Sequence, residues 1–301
     1  MRFYKCYQCF FFFNCFQMIN SFLFNQRNLI NSRIFFSSNE NIDLIQSDSN
    51  KLNPSEKCKT ILYQPQGIGV LSTLGIKKQI DKYPQGSVVG FSMDSNDLPF
   101  FIFSDLSTHT RNLLVNNSAS LSVMEYGFND VSDSRVMLTG DIKKIKNEKV
   151  IEDYKNLYLR NHPDSLWITL GDFNVYKMDK IKAIYFVGGF GRANRVKMDD
   201  YLKSKPDIFI HNIEANIDFI MENYFELIGR ILLSKIRNIV SFDVKNVDSW
   251  GINFNIKYSN NYDINFHTRI TRNNKKFFRI PFSKKVYNLF DIKDELKKID
   301  I

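Results

Sequence analysis

The chain has 301 residues, of which 44% are hydrophobic and 24% charged, the composition of a globular protein rather than of a disordered or fibrous one. No apolar run reaches the roughly 18 residues of a membrane-spanning helix, so we expect no membrane span in the mature chain. The net charge of +9 is uneven: residues 1–39 hold four of the 41 basic residues and no acid, which leaves 37 basic against 32 acidic residues elsewhere. We therefore expect no nucleic-acid partner.

Residues 1–40 have the pattern of a targeting leader. Arg2 and Lys5 precede an apolar stretch at 9–24, and an acid-free segment with Arg27, Arg33 and several serines follows. A signal-like element joined to a transit-like element is typical of an organelle reached through the secretory route, such as a plastid. A mitochondrial presequence and a disordered terminus remain as alternatives. Residues 41–57 are polar and predict a linker.

The cysteines predict no disulfide and no metal site. Three of the four lie in the leader, so only Cys58 remains once the leader is removed. Cys6 and Cys9 have the spacing of a metal knuckle, but no second pair follows downstream. The mature protein should therefore not depend on an oxidising compartment.

Residues 58–204 predict a small, mostly antiparallel barrel. Runs of β-branched and aromatic residues, separated by Gly, Pro, Asn or Asp, predict strands at 68–74, 87–94, 98–104, 119–125, 135–145, 173–178 and 182–188. Helices are predicted at about 106–116 and at 147–160, where Val150, Tyr154 and Leu157 recur at helical spacing. Short strands around two helices favour a barrel with helices at its openings.

Residues 207–301 predict a second, smaller α+β domain. A long amphipathic helix at 212–233 is followed by strands at 239–244, 250–258, 264–271 and 277–282 and by a last helix at 288–298. Basic and aromatic residues alternate between 257 and 285, a pattern that nucleic-acid surfaces also show. An alternating strand explains it more simply, with its aromatics toward the core and its charges toward water.

The stretch 104–114 (SDLSTHTRNLL) predicts an anion site. A strand ends at Ser104, a hydroxyl-rich turn follows, and Thr110, Arg111 and Asn112 lie in the first turns of the next helix. Free backbone N–H groups, hydroxyls and a guanidinium at a helix N-terminus bind anions. Ordinary N-capping, with Arg111 solvated, is the alternative interpretation.

A second candidate is the glycine-rich stretch 187–193 (VGGFGRA). Its glycines would let the backbone approach a planar ligand, with Phe190 and Arg192 covering that ligand. A glycine-rich bulge in a barrel strand is the alternative. Ser134 and Arg135 open another predicted strand, where Arg135 fits a surface charge equally well.

These motifs occur in a characteristic order. The stretches are 86–91 (GSVVGF), 104–105 (SD), 109–113 (HTRNL), 134–136 (SRV), 162–164 (HPD), 171–173 (GDF) and 188–192 (GGFGR). Together they resemble the FMN-binding split barrels related to pyridoxamine-phosphate oxidase, in particular the heme-utilisation (HugZ-type) branch. The resemblance covers roughly residues 55–200, and the tail resembles the small α/β domain that follows this barrel.

The resemblance implies an FMN-dependent oxidoreductase that is a homodimer with the flavin at the subunit interface, linked to heme or tetrapyrrole metabolism. By position, Ser87, Val88 and Val89 would line the flavin ring through backbone contacts. Ser104 and Asp105 would flank the ribityl chain, and Thr110 with Arg111 would hold the phosphate. Ser134 or Arg135 would reach the ring, and Gly189, Phe190 and Arg192 would close the site. The residues implied are Ser87, Val88, Val89, Ser104, Asp105, Thr110, Arg111, Ser134, Arg135, Gly189, Phe190 and Arg192.

The chain departs from the family at its histidines. Residues 219–224 (FIMENY) stand where the family has a His-Met-Asn-x-Asp-His motif, and the chain end lacks the histidine that heme-degrading members use as an iron ligand. Heme as a bound cofactor would have to recruit His109, His162, His211 or His267. These departures favour an alternative, a non-catalytic regulator that binds an enzyme of tetrapyrrole synthesis.

Overall fold

The computed structural model describes residues 51–188, 193–260 and 272–299. They form two antiparallel sheets and six α-helices, and both sheets belong to one compact unit. No helix in these ranges is both long and apolar enough to cross a membrane.

The first helix, α1 (Pro54–Leu62), begins within the segment that the sequence predicted as a linker. Its start is a complete capping box: the Asn53 side chain accepts from the Glu56 amide at 2.9 Å, and the Glu56 carboxylate accepts from the Asn53 amide at 2.9 Å. A proline at the first helical position suits this start. The polar composition of 53–56 is therefore that of a helix cap.

Eight strands form the larger sheet. They are β1 (Ile68–Leu74), β2 (Pro84–Gly90), β3 (Ser92–Met93), β4 (Pro99–Ser104), β5 (Ser118–Met124), β6 (Arg135–Lys144), β7 (Phe173–Val187) and β8 (Ala193–Val196). The order is β2-β1-β5-β6-β7-β4-β3, with β8 also paired to β7, and every pair among these strands is antiparallel. This curled half-barrel, with its helices and second sheet, confirms the predicted fold class.

Along β1, β5, β6 and β7, alternation places the main core on one face of the sheet, whereas both faces of β4 are buried, with Phe101 and Phe103 in this core and Phe100 and Ile102 in a second cluster. Leu71, Leu121, Leu138 and Ile184 are paired across β1, β5, β6 and β7, and all four side chains are buried. Their neighbours along each strand point the other way and are partly exposed, as the period of two requires.

The structure differs from the predicted strand bounds at β7. The segments 173–178 and 182–188 were expected as two strands but form one, because Lys180 pairs with Asp141 of β6 and the ladder continues past the unpaired Asp179 through a register shift. Gly140 of β6 makes this possible, since a Cβ there would collide with the Lys180 carbonyl oxygen. The predicted strand at 87–94 is instead divided into β2 and β3.

Three more helices pack on this sheet: α2 (Thr108–Val115), α3 (Glu148–Asn161) and α4 (Met198–Lys203). The first two lie close to the predicted bounds. Strand β8 and helix α4 were not predicted, since each is six residues or shorter and carries little periodic signal.

The second sheet has the order β11-β10-β9 and packs on two helices. Its elements are α5 (Ile213–Lys235), β9 (Ile239–Asp248), β10 (Gly251–Asn260), β11 (Arg272–Pro281) and α6 (Leu289–Lys297). Its core contains the predicted apolar stripe of α5, with Ile220, Tyr224, Ile228 and Ile231 buried. The strand predicted at 264–271 lies outside the described residues.

Candidate functional site

The candidate site is the N-terminus of α2, which has no side-chain cap. Ser107 at the N-cap position makes no capping hydrogen bond, and the first backbone bond of the helix runs from the Arg111 amide to the Ser107 carbonyl at 3.2 Å. The preceding N–H groups of the first turn therefore lack an intrahelical acceptor. Donors left free at a helix N-terminus favour an anionic ligand.

Thr110, in this first turn, is the second indication of a ligand. Its side chain is fully buried, and its hydroxyl Oγ1 has no hydrogen-bond partner among the residues described. A buried hydroxyl without a partner costs free energy, so such groups need an explanation such as a bound ligand or water.

Arg111 is exposed and lies over the loop that precedes the helix. Its Nη2 donates to the Leu106 carbonyl oxygen at 2.5 Å. A guanidinium has five N–H donors, so this bond leaves donors for a ligand. Thr110 and Arg111 therefore both lie at the start of α2, with the Thr110 side chain buried and the Arg111 side chain exposed.

Ser104 and Asp105 have mainly a structural role in this loop. The Ser104 hydroxyl donates to the Asp172 carboxylate at 2.5 Å and accepts from the Leu106 amide at 3.1 Å. Asp105 is 3.7 Å from the Lys144 ammonium, and its amide donates to the Asp172 carbonyl at 2.9 Å. Asp172 therefore fixes the loop.

Asn112 holds α2 against the sheet, a role that was not assigned from sequence. The side chain is buried, and its Nδ2 donates to Thr73 Oγ1 at 3.0 Å and to Gln85 Oε1 at 3.5 Å. The signal for this role in the sequence was a side-chain amide at a helical position that faces the core. Through Asn112, the α2 terminus is tied to the paired ends of β1 and β2.

A layer of aromatic rings lies behind the helix start. Phe103 contacts the His109 ring at 4.4 Å and the Tyr176 ring at 5.4 Å between centroids. Both His109 Nε2 and Tyr176 Oη are buried and have no partner within the described ranges. Burial lowers the pKa of His109 below its usual value, and burial together with the charge of Asp105 raises the pKa of Tyr176 to about 12. Both groups are therefore neutral near pH 7.

Strand β2 carries Ser87, Val88 and Val89 and lies at one edge of the sheet. Within the described ranges it pairs with β1 and with no other strand. Val89 is buried, Ser87 is half-buried and Val88 is 76% exposed. An edge strand has backbone N–H and C=O groups that are free to bind a ligand. This edge position therefore allows the backbone contacts with a flavin ring that the resemblance implies for Ser87, Val88 and Val89.

Ser134 and Arg135 lie at the other end of the barrel from α2. Arg135 begins β6, whereas Lys144, which contacts Asp105, ends it. Nine residues of extended strand span about 30 Å. The Arg135 Nη1 donates to the Val131 carbonyl at 2.8 Å. One chain therefore cannot place both Arg111 and Arg135 on one small ligand, and Gly189, Phe190 and Arg192 lie outside the described residues.

The histidines considered for heme differ in availability. His162 Nε2 is 2.9 Å from the Phe91 carbonyl oxygen, and its ring stacks on Tyr158 at 4.2 Å. His211 is exposed, and His267 lies outside the described residues. In the part of the chain described, no three His, Cys, Asp or Glu side chains cluster as a metal site.

The chain is similar to known proteins both in sequence and in structure. The chain is similar to the non-canonical heme oxygenase HOZ, a chloroplastic protein of Arabidopsis thaliana, with 27% identity over 263 residues that cover 83% of this chain and 74% of the relative. Among solved structures, a heme binding protein from Mycobacterium smegmatis matches with a TM-score of 0.53 and 16% identity, over 83% of this chain and 97% of that chain. The structural match shows a shared fold.

The match that identifies the family covers the barrel residues. Residues 53–203, half of the chain, match the CREG beta-barrel family, and this range contains α1 through α4 with all eight strands of the larger sheet. The chain therefore belongs to the CREG beta-barrel family, and its barrel has the split-barrel fold that the sequence resemblance predicted.

Proposed function

We propose that this protein binds FMN at the N-terminus of α2 and acts as a flavin-dependent oxidoreductase on heme or a related tetrapyrrole. The observation that carries the proposal is the buried, unpartnered hydroxyl of Thr110 in the uncapped first turn of that helix. The residue types at this helix start suit a phosphate ester, because a hydroxyl, free backbone N–H groups and a guanidinium occur within the first four helical residues.

Within this proposal Thr110 and the first-turn amides hold the phosphate, and Arg111 neutralises its charge. Asp172 keeps Ser104 and the loop in place, and Asn112 keeps the helix start at the edge formed by β2. When bound, FMN supplies one- or two-electron redox chemistry that the side chains lack.

A second copy of the chain is part of the proposal. Across β2, β1, β5, β6 and β7, two cross-strand rows on the outer face of the sheet are uncharged: Val88, Val70, Ser122, Met137 and Tyr185, and Gly86, Ser72, Ser120, Thr139 and Ala183. The first row ends at the charged Arg195 of β8, which pairs with Tyr185. Val88, Met137 and Tyr185 are 76%, 37% and 42% exposed. An uncharged sheet face of this width favours association with a second copy. In a homodimer, Ser134 and Arg135 of one subunit would reach the site of the other.

The substrate class rests on the relatives. The Arabidopsis relative is named a heme oxygenase, and we extend heme or tetrapyrrole chemistry to this chain on that similarity. We assign no histidine as an iron ligand: His162 is bonded to a backbone carbonyl, and the His109 ring is packed against Phe103. The plastid location is proposed on the same similarity, together with the leader pattern of residues 1–40.

The test is an FMN titration of the full-length protein, followed by quenching of flavin fluorescence, with hemin binding followed at the Soret band. Thr110→Val removes the hydroxyl at nearly constant volume, and Arg111→Ala removes the guanidinium. Each is expected to weaken FMN binding at least about tenfold, since a hydrogen bond to a charged group contributes roughly 1.5–3 kcal/mol.

Ser234→Ala in α5 and Arg160→Ala in α3 are the matched controls, and both should bind FMN as the wild type does. A wild-type protein that leaves FMN fluorescence unchanged would overturn the proposal and leave the regulator of tetrapyrrole synthesis as the function to pursue. Equal affinities of Thr110→Val and wild type would remove the phosphate site from α2.

A further inference from the structure

A separate cleft of about 720 Å³ lies where α1, β8 and α4 meet the connection to the second sheet. It is lined by residues 53–56 at the start of α1, by 194–197 of β8 and its end, and by Asp200 and 203–205 around the end of α4. Lys285, which follows β11, completes the lining. None of the residues assigned to the flavin site lines it.

The cleft has an excess of positive charge. Its cations are Arg195, Lys197, Lys203, Lys205 and Lys285, against the two acids Glu56 and Asp200. Glu56 is already used in the capping box of α1. None of the five cations forms an ion pair with another described residue. Unpaired like charges around one concave surface attract an anionic partner.

Strand β8, which lines the cleft with these cations, has a free backbone edge. It pairs with β7 along one edge, and within the described part of the chain its second edge pairs with no strand. Residues 193–195 are exposed. The free edge of a short strand can accept an extended peptide through main-chain hydrogen bonds.

The exposure of the lining residues favours an extended peptide over an enclosed small molecule as the ligand. Four of the cations are exposed and Lys285 is half-buried, so the cleft is open along its length. Small-molecule sites enclose most of their ligand's surface, usually with an apolar lining. An extended chain that lies along the cleft requires no such enclosure.

We infer that this cleft is a docking site for an acidic, extended segment of a protein partner. The carboxylates of that segment would contact the five cations, and its backbone would pair with the free edge of β8. The inference does not depend on FMN binding, because the cleft and the α2 terminus share no residue.

The probe is a fluorescein-labelled eight-residue peptide that alternates Glu with Val, added to full-length protein at low salt and followed by fluorescence anisotropy. Wild type should bind it, and the double variant Lys203→Glu/Lys205→Glu should bind at least about tenfold more weakly. The matched control Lys77→Glu/Lys78→Glu makes the same charge change at two exposed lysines before β2 and should retain wild-type affinity. Thermal unfolding confirms that each variant is folded.

Two further measurements distinguish peptide docking from general anion binding. A Glu-Val peptide that is N-methylated at every residue has no backbone N–H to donate to the strand edge and should bind more weakly than the unmodified Glu-Val peptide. Inorganic triphosphate should compete poorly. Three outcomes would each overturn the docking site. The wild type fails to bind the peptide, the two double variants lose peptide affinity equally, or the Lys203 and Lys205 substitutions weaken the binding of triphosphate but not that of the peptide. An FMN titration of the same variants should be unchanged.

Discussion

At the residue scale, the site depends on a few groups whose hydrogen-bonding capacity the fold leaves unused. Thr110 Oγ1 and His109 Nε2 are buried without partners, whereas the hydroxyl of Ser104 is fully used by Asp172 and Leu106. The sequence predicted Thr110 and Arg111 from the hydroxyls and the guanidinium at a helix start. It did not predict Asp172 or Asn112, because their roles arise from contacts between distant segments.

Gly140 offers a prediction at this scale. Because a Cβ at Gly140 would collide with the Lys180 carbonyl oxygen and touch Met178, Gly140→Ala is expected to lower the free energy of unfolding by about 2–3 kcal/mol. Urea unfolding measures the change. Gly171→Ala is the control, since no atom lies within 4 Å of its added Cβ, and it should change stability by less than about 0.5 kcal/mol. Equal effects of the two substitutions would contradict the close approach of β6 and β7.

At the element scale, short elements and joined strands were the hardest to predict. The first turn of helix α1 was assigned to a linker although Asn53 and Glu56 form its capping box, and β7 was predicted as two strands because Asp179 and Lys180 look like a turn. Long amphipathic helices such as α5 were predicted to within about two residues, because their apolar stripe is periodic over many turns.

Helix α6 provides a pH-dependent prediction. Its buried Glu295 accepts from the amide of Ser283 at 2.6 Å and from the hydroxyl of Ser283 at 2.7 Å. Burial raises the pKa of Glu295, but the bonds from Lys298 and Ser283 outweigh it and lower the pKa from 4.5 to about 2. The stability from this carboxylate is therefore present above pH 4.5 and is lost as the pH falls toward 2.

Urea unfolding of wild type and Glu295→Gln at pH 6 and pH 3 measures this dependence. The substitution should destabilise the protein at pH 6 and have a smaller effect at pH 3, where the wild type has lost part of this contribution. Glu222→Gln, at an exposed position of α5, is the control and should show no such difference between the two pH values. A destabilisation by Glu295→Gln that is the same at both pH values would refute the assignment.

At the scale of the whole molecule, a buried lysine connects the two sheets. Lys245 of β9 donates to Glu125, at 2.9 Å, and to Asp133, and both acids lie in the connection between β5 and β6. Its side chain is 3% exposed. Because Arg135 follows this connection, the second sheet holds in place the segment that we propose to reach a partner subunit.

Replacing Lys245 by Met keeps most of the side-chain volume but removes the cation of Asp133 and the nearer cation of Glu125, whose carboxylate is also 3.8 Å from Lys57 Nζ. A buried pair broken in this way costs about 3–5 kcal/mol, so Lys245→Met should unfold at much lower urea concentration. Lys257→Met, at an exposed position of β10, is the control and should be nearly neutral. A Lys245→Met variant as stable as this control would show that the two sheets are held together without the lysine.

The sheet and helix content, the positions of most strands and a helix start near Thr110 could be predicted from the sequence, because periodicity and helix-start chemistry are local properties. The anion site formed by Thr110 and Arg111 stays a prediction. The folded structure was needed to show that Lys144, at the end of β6 opposite Arg135, contacts the loop before α2, that an uncharged face crosses five strands, and that five cations surround one cleft. These facts follow from strand register and from contacts between residues far apart in the chain, and a single sequence carries no local signal for either.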